Sequence, residues 1–404
     1  MITIGALTEA IKKRGFIVNV PETRSYNSSG YIITHFSGSG FNNQIHQILN
    51  GVAFARALNR TYCLPPFVRR KSDEINYRAT LTDFSEIFDI HHFRKFVTLE
   101  SIEICSSLCR NRVDFVINMS PNEMSVQGYE RQNTMKLMGF DSKFSELVKF
   151  KRFKNLQRSW AEWYTELQVV SELKIQREKC LELFQPFPAA NLIVNGNMEI
   201  LSASLQFSNS IEEKAKRIAE DLFEDRSYIS VHWRYEYQKK GESKCRKKNL
   251  KVRGLGDVCF VIFLKKQRSE LKDYLNFGEC RDCEKYLLFV HLEDLGSALV
   301  DFQTSMGGLE IYLASDAEPR VMEKLRKYIH FKTINDSKFG FNLLANESME
   351  VLSAVEQGIC ALGENFIGTS YSTWTTTVWM LRSHLHGEQN RIHGFLEHLT
   401  SVKT

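Results

Sequence analysis

Hydrophobic and polar residues alternate along the chain with two periods, one typical of strands and the other typical of helices. Residues 31–36 form a short, mostly apolar run that predicts a buried strand, and residues 61–64 predict another. Between the two, from Asn43 onward, apolar residues recur at the spacing of one helix face. They are Ile45, Ile48, Leu49, Val52 and Ala53.

A similar order recurs in the second half of the chain. Apolar positions from Ile211 to Leu222 predict an amphipathic helix, with Asn209 or Ser210 as its N-cap. The remaining predicted elements of this half are strands at 227–234, 285–292 and 309–316, a strand within 365–370 that ends at Gly368, and helices at 319–328 and 372–385.

Strands that alternate with helices in both halves predict parallel sheets and the α/β class. The chain has 404 residues, which is enough for two domains. A boundary near residue 205 would divide it into an N-terminal domain, 1–205, and a C-terminal domain, 206–404. A ligand would then bind at the carboxyl ends of the strands, in a cleft between the halves.

Composition narrows the classes of ligand and of compartment. The net charge of +5 is compatible with an anionic ligand and is too weak to indicate nucleic acid. The basic cluster at 239–253 is interpreted as a solvated surface loop. The longest apolar run, 258–264, is shorter than the about 20 residues of a membrane span, so no transmembrane segment is predicted.

Cysteines and glycosylation motifs give conflicting signals about the compartment. The chain has nine cysteines, an odd number that leaves at least one unpaired. The pairs Cys105–Cys109 and Cys280–Cys283 are candidate disulfides because they are close in sequence. There is no second cysteine or histidine pair at the spacing of a zinc site. Asn-x-Ser/Thr motifs start at Asn27, Asn59, Asn118, Asn335 and Asn346, with Asn59 expected at a buried helix end.

The first of three segments suited to ligand binding is the glycine-rich turn at 38–44. Gly38 and Gly40 permit a tight turn and close approach of a ligand to the backbone. Asn43 can donate hydrogen bonds to a sugar hydroxyl or a phosphate and accept them from a hydroxyl. The turn contains no Lys, which favours a sugar nucleotide over triphosphate hydrolysis. A plain strand-to-helix turn with Asn caps is the alternative.

The second segment, 231–236, ends a predicted strand. His232 and Arg234 lie on one side of it because side chains alternate along a strand. An Arg at this end can hold a phosphate through two parallel N–H groups. The alternative is an ion pair between Arg234 and Glu236.

The third segment, 356–374, contains a strand that ends at Gly368, then hydroxyl residues, then the start of a helix. Hydroxyls and the N–H groups of a helix's first turn together suit a diphosphate. Ser372 as a simple N-cap is the alternative. The hydroxyl residues are Thr369, Ser370, Ser372 and Thr373.

The motifs that the sequence lacks narrow the possible reaction mechanisms. The sequence contains no GxxxxGK[ST], HExxH or GxSxG motif, and no Asp-x-Asp motif of the kind that holds a metal beside a sugar nucleotide. A metal-free mechanism would need cationic side chains and helix ends to stabilise a leaving diphosphate.

Together these segments resemble the GDP-fucose protein O-fucosyltransferase family. The matching motifs are GFNNQ followed by AFARALNRT and PPF, then VHWRYE with its His-x-Arg, the acidic-Gln helix EQGICA, and FIGTSYSTW. The added Tyr-Glu after the His-x-Arg resembles the plant-like branch. The resemblance covers 31–67, 227–237 and 310–385, and residues 70–205 have no match.

The resemblance implies a GT-B-like fold, in which two Rossmann-type domains face each other across a cleft. It also implies inverting, metal-independent transfer of L-fucose from GDP-fucose to a Ser or Thr hydroxyl of a protein, with no cofactor besides the donor substrate. The expected acceptor is a folded, cysteine-rich protein domain, and no nucleic acid is expected as a partner. The family implies the ER or Golgi lumen, whereas the N-terminus shows no signal peptide and predicts the cytoplasm if it is complete.

By position, the resemblance implies catalytic roles for two residues. Arg234 would hold the β-phosphate, and Asn43 would contact the donor or the acceptor hydroxyl. Glu356 would lie near the guanine, and the segment from Ser372 to Trp374 would line the phosphate and base pocket. The full set of implied substrate-binding residues is Gly40, Phe41, Asn42, Gln44, His232, Glu236, Asp316, Glu356, Ser372, Thr373, Trp374 and Arg382.

One departure from the family pattern concerns the general base. Ser39 stands where some members have a Glu, and Gly40 stands where an Arg is common. Either water or phosphate deprotonates the acceptor, or another residue such as Glu236 does so. A fucosyltransferase with a glycan acceptor and a non-catalytic protein that binds GDP-fucose are therefore the alternatives.

Overall fold

The structure is a computed structural model. It describes residues 30–35, 40–68, 81–118, 129–141, 144–149, 179–184, 204–235, 292–368 and 372–386. The chain divides into two compact units, Met1–Ser208 and Asn209–Thr404, called here unit 1 and unit 2. The division falls three residues beyond the boundary expected at residue 205.

Unit 1 is built around one parallel sheet. Its described strands are β1 (Tyr31–His35), β2 (Thr61–Leu64), β3 (Phe67–Val68), β4 (Leu81–Thr82), β5 (Leu99–Ser101), β6 (Val113–Asn118), β7 (Phe144–Lys149) and β8 (Cys180–Phe184). Its described helices are α1 (Phe41–Ala57), α2 (Phe84–Ile87), α3 (Ile90–Arg94), α4 (Ile102–Leu108) and α5 (Tyr129–Leu137).

Six of these strands form the sheet, in the order β5-β2-β1-β8-β6-β7, and every neighbouring pair in it is parallel. Strands β1, β2 and β8 are buried along almost their whole length. Burial on both faces explains why they read as apolar runs rather than as alternating patterns. Strands β3 and β4 form a separate antiparallel pair.

The described residues of unit 2 include a parallel sheet of three strands, ordered β10-β9-β11. Its described strands are β9 (Tyr228–Trp233), β10 (Glu310–Ser315) and β11 (Asn365–Gly368). Its described helices are α6 (Asn209–Phe223), α7 (Leu292–Ser305), α8 (Pro319–Leu325), a 3-10 turn (Ile334–Asp336), α9 (Lys338–Asn346), α10 (Met349–Leu362) and α11 (Thr373–His386). No helix in the described ranges has the length and hydropathy needed to span a bilayer.

Most predicted elements of both halves are present, with small shifts at their ends. The helix predicted from Asn43 begins at Phe41, and the helix predicted over 319–328 ends at Leu325. Asn209 is the first residue of α6, so the prediction that Asn209 or Ser210 precedes the helix as its cap is wrong. The strand predicted at 285–292 lies outside the described residues, except for Leu292, which begins α7.

Two disulfides fasten α4 to strands on either side of β1. Cys105 is bonded to Cys63 of β2, and Cys109, the C-cap of α4, is bonded to Cys180 of β8. The predicted pairing of Cys105 with Cys109 is therefore wrong. These two residues lie one helical turn apart, and each meets a strand cysteine rather than the other.

The remaining predictions about cysteines and glycosylation motifs have mixed outcomes. Cys360 is a buried free thiol, as the odd cysteine count requires. Cys280 and Cys283 lie outside the described residues. Asn59 is exposed in the turn after α1, at φ 52°, so the expectation of a buried position is wrong.

Candidate functional site

The strands of unit 2 end together at one edge of its sheet. His232 of the central strand β9 pairs in register with Ala314 of β10 and with Gly368 of β11. Arg234, Asp316 and Ser372 all follow these strand ends in the sequence. The carboxyl edge of an open parallel sheet is where such folds bind ligands.

Arg234 and Asp316 form an ion pair at this edge. Arg234 Nε lies 3.2 Å from Asp316 Oδ2, and the two side chains are 29% and 37% exposed. Asp316 Oδ1 accepts a hydrogen bond from the backbone N–H of Tyr235 at 2.6 Å. Glu236, the partner considered for Arg234 from sequence, lies outside the described residues. The geometry thus fixes a cation, already balanced by a carboxylate, at the end of the central strand.

His232 is buried behind this pair and does not face solvent. Its Nδ1 lies 2.7 Å from Thr375 Oγ1, and its ring stacks on Trp374 with centroids 4.1 Å apart. Burial, with a smaller effect of the Arg234 charge, lowers the pKa of His232 to about 3. The imidazole is therefore neutral at physiological pH and joins β9 to α11. Its predicted contact with substrate stays a prediction.

Ser372 lies immediately before α11 and is 2% exposed. Its hydroxyl oxygen is buried and has no hydrogen-bond partner in the part of the chain that the structure describes. A capping Ser would accept a bond from an N–H of the first turn, so nothing in this geometry supports the simple N-cap alternative. A buried polar atom left without a partner is costly, and such atoms concentrate where a ligand or water completes the site.

Glu356 and Tyr312 meet beneath the same edge. Tyr312 donates its hydroxyl hydrogen to Glu356 Oε1 across 3.4 Å. The pKa of Glu356 is raised to about 7, because burial has the largest effect, the hydrogen bond from Tyr312 lowers the pKa, and the negative charge of Asp316 raises it by a smaller amount. The carboxyl group is therefore divided between its protonated and ionised forms near neutral pH.

Arg382 and Trp374 hold the helices that frame this edge. The Arg382 guanidinium donates to backbone carbonyls in the last turn of α10 and just after it, among them Ala361 at 2.9 Å and Glu364 at 2.8 Å. The Trp374 indole N–H donates to Ser353 Oγ at 3.0 Å. These contacts are structural, and the predicted ligand contacts of both residues remain predictions. Thr373 opens α11 as its first residue.

In unit 1, the glycine-rich segment begins α1. Gly40 is the N-cap with φ −61° and ψ 161°, and no side chain caps the helix. A Cβ built on Gly40 would meet no atom within 4 Å. Neither backbone strain nor packing in the described structure demands a glycine here, and the predicted tight turn and close approach of a ligand stay predictions. Gly38 lies outside the described residues.

The next residues of α1 differ in their burial and in their contacts with unit 1. Both ends of the Gln44 amide bond the backbone of Val68, with Nε2 donating at 2.6 Å and Oε1 accepting at 2.8 Å. Phe41 packs edge-on against Phe67 with centroids 4.9 Å apart. Asn42 is buried, and Asn43 is half-buried. The described contacts of Gln44 and Phe41 thus hold the strand pair, and their predicted ligand roles are untested.

Sequence reasoning missed a buried polar group at the end of β1. His35 is fully buried and stacks on Phe184, and neither ring nitrogen has a hydrogen-bond partner among the described residues. Burial, followed by the charge of Arg131, lowers its pKa to about 3. In the core, Arg131 donates hydrogen bonds from two of its nitrogens to the carboxylate of Glu182 in β8. The position of His35 directly before a glycine-rich turn could have marked it as a candidate site residue. Its neighbours Phe184 and Arg131 lie within 70–205, where the sequence has no recognisable motif.

Comparison with known proteins decides the family. The model of the GDP-fucose protein O-fucosyltransferase family matches residues 31–385. The chain belongs to this family. No curated protein matches the sequence.

Solved structures of POFUT1 share the fold of this family member. The complex with GDP is 17% identical, covers 89% of this chain and 96% of its own, and superposes with a TM-score of 0.57. The complex with GDP-fucose is also 17% identical, covers 88% of this chain and 95% of its own, and has a TM-score of 0.56. The apo form is 17% identical, covers 90% of this chain and 97% of its own, and has a TM-score of 0.56. The α/β class with parallel sheets is confirmed. No cluster of three or more metal-binding side chains occurs among the described residues.

Proposed function

We propose that this protein transfers L-fucose from GDP-fucose to a Ser or Thr hydroxyl of a protein, with inversion and without a metal. Membership of the family supports the donor and the reaction type. The observation that carries the proposal is the edge of unit 2, where Arg234 ends the central strand and the unpartnered Ser372 hydroxyl precedes α11.

The chemistry requires a site for growing negative charge. As the bond between fucose C1 and the β-phosphate oxygen breaks, electrons move to the diphosphate, and the sugar acquires oxocarbenium character. Arg234 is proposed to hold the β-phosphate, with the Ser372 hydroxyl and the amino end of α11 as further donors. Such preorganised donors stabilise the transition state more than the ground state.

The acceptor hydroxyl must lose its proton as the new glycosidic bond forms. The neutral imidazoles of His35 and His232 are poor bases because their pKa values are near 3. Of the groups considered from sequence, Glu236, water and the donor phosphate remain as proton acceptors. Asn43 is proposed to orient the donor or the acceptor hydroxyl at the start of α1.

Two alternative functions would use the same donor, GDP-fucose, but would not transfer fucose to a protein. A glycan acceptor would leave the unit 2 edge unchanged, and a non-catalytic protein would bind GDP-fucose without transfer. Gly40, in place of the cation common in the family, favours the second alternative over the first. The two disulfides support an oxidising compartment, and we propose the ER or Golgi lumen.

Calorimetry with GDP and GDP-fucose, followed by transfer from labelled donor to folded cysteine-rich domains, tests the proposal. Arg234→Ala is expected to lower kcat/KM by about 10²–10³-fold because it removes a charged transition-state donor. Arg226→Ala is the matched control, since Arg226 is 58% exposed and precedes the opposite end of β9. Failure of both nucleotides to bind at millimolar concentration would refute the proposal. Binding and donor hydrolysis without transfer to protein would favour a different acceptor.

A further inference from the structure

We propose that Asp316 is a positioning residue, which acts on the donor through Arg234 rather than by touching the ligand. This inference rests on the proposed function of Arg234. The two oxygens of the Asp316 carboxylate have different partners. Oδ1 accepts the backbone N–H of Tyr235 at 2.6 Å, while Oδ2 lies 3.2 Å from Arg234 Nε.

The end of β10 also holds the backbone on the other side of Arg234. Ser315 Oγ donates to the carbonyl of Trp233 at 2.7 Å and accepts the N–H of Ala317 at 3.1 Å. Trp233 and Ser315 are paired in register. The peptide groups before and after Arg234 are thus both bonded by consecutive residues of one neighbouring strand end, so the origin of its side chain is fixed.

The ion pair at Nε also restrains the orientation of the guanidinium. The group is planar, and its five N–H donors have a rigid fork geometry. Nε lies 3.2 Å from Asp316 Oδ2 without forming a hydrogen bond to it, and the attraction between the two charges keeps this side of the guanidinium turned toward the carboxylate, which restricts the directions of both terminal amines. A phosphate held by those amines would therefore meet a donor that is already oriented, which reduces the ordering cost of binding.

Electrostatics favour this indirect role over direct contact with the diphosphate. A carboxylate facing a diphosphate would add repulsion between like charges, and Asp316 already interacts electrostatically with Glu356. An ion pair as exposed as this one contributes little to folding. Loss of the Asp316 charge should therefore weaken phosphate binding while leaving the stability of unit 2 nearly unchanged.

A double-mutant cycle on GDP affinity tests the inference. Asp316→Asn keeps the shape and an oxygen for the Tyr235 N–H but loses the charge that aligns Arg234. We expect it to weaken GDP binding about tenfold, and to have no further effect in the Arg234→Ala background. Additive losses in the double variant would overturn the inference, as would unchanged GDP affinity in Asp316→Asn. If the parent protein fails to bind GDP, the proposed function fails instead.

Guanosine supplies a second probe that lacks phosphate. If Asp316 acts through Arg234 on phosphate, Asp316→Asn should leave guanosine affinity unchanged; a parallel loss would indicate contact with base or ribose and overturn the inference. Asp336→Asn is the matched control. Asp336 likewise accepts from an Arg guanidinium, that of Arg326 at 2.6 Å, and from a backbone N–H, that of Thr333 at 2.7 Å. It should leave GDP affinity at the parent value.

Discussion

His232 Nδ1 and Thr375 Oγ1 lie 2.7 Å apart in the core of unit 2, which ties the central strand to the first turn of α11. Thr375 is 1% exposed, and its side chain also fills the space beside Gly368, where an added Cβ would come within 2.3 Å of it. One hydroxyl residue thus joins β9, β11 and α11 just below the proposed phosphate site.

Thr375→Val should cost about 1–3 kcal/mol of unfolding free energy, because it preserves shape but leaves a buried imidazole nitrogen unpaired. Urea unfolding measures this. Thr304→Val is the control, since the Thr304 hydroxyl bonds a carbonyl of its own helix at an exposed site. Equal losses in the two variants would show that the contact between His232 and Thr375 contributes nothing specific.

Gly40→Ala should leave stability unchanged or raise it by up to about 1 kcal/mol, because the position has ordinary backbone angles and open space. Transfer activity should nevertheless fall at least about tenfold if substrate passes close to this backbone. Gly51→Ala is the structural counterpart, since its Cβ would lie 2.3 Å from Thr34 Oγ1, and it should lose about 1–3 kcal/mol. Full activity in Gly40→Ala would remove this residue from the site.

Glu356→Gln should change how stability depends on pH. Because the folded pKa of Glu356, about 7, lies above its ordinary value, the folded state retains this proton between about pH 4.5 and pH 7. The parent therefore loses stability relative to the variant as pH rises through this window. Because the Glu356 residue is half-buried and solvent screens part of the effect, we expect a relative loss of about 1–2 kcal/mol, measured by urea unfolding at several pH values. Parallel curves for the two proteins would contradict a raised pKa.

Peptide mapping without reductant should recover Cys63 linked to Cys105 and Cys109 linked to Cys180. Replacing either pair with Ala should cost about 4 kcal/mol, since the disulfides span 42 and 71 residues and restrict the unfolded chain. Unfolding with and without reductant measures this, and Cys360→Ala, which breaks no disulfide, is the comparison. A peptide that joins Cys105 to Cys109 would contradict the structure.

The sequence was informative where local pattern decides the outcome. Strand β2 has the predicted bounds, Thr61–Leu64, because a doubly buried strand must be apolar throughout. The side chains that follow β9 were also identified, since they sit beside a strong strand signal. Arg234 is a candidate cation from the sequence alone, but its partner Asp316 follows β10, 82 residues later in the chain, and only the pairing of β9 with β10 brings the two together.

Sequence reasoning was wrong or incomplete where the surroundings of a side chain depend on segments that are distant in the chain. Cys105 was assigned its nearest cysteine, whereas the packing of α4 on the sheet gives it Cys63. Both ends of the Gln44 amide bond the backbone of Val68 in β3, a contact that the sequence did not predict, and the predicted ligand role of Gln44 stays a prediction. His35 went unnoticed because its burial depends on β8, a strand with no recognisable motif.

The position of β8 has a consequence for the order in which unit 1 is assembled on the ribosome. This strand is synthesised after the five others of its sheet but lies between β1 and β6. Until β8 has been synthesised, the ladder β5-β2-β1 and the pair β6-β7 share no strand pairing, and Cys109 lacks its native partner, Cys180. Two strand edges, those of β1 and β6, and one thiol therefore lack their native partners until the strand between them is made, and unpaired edges of this kind favour pairing with other chains.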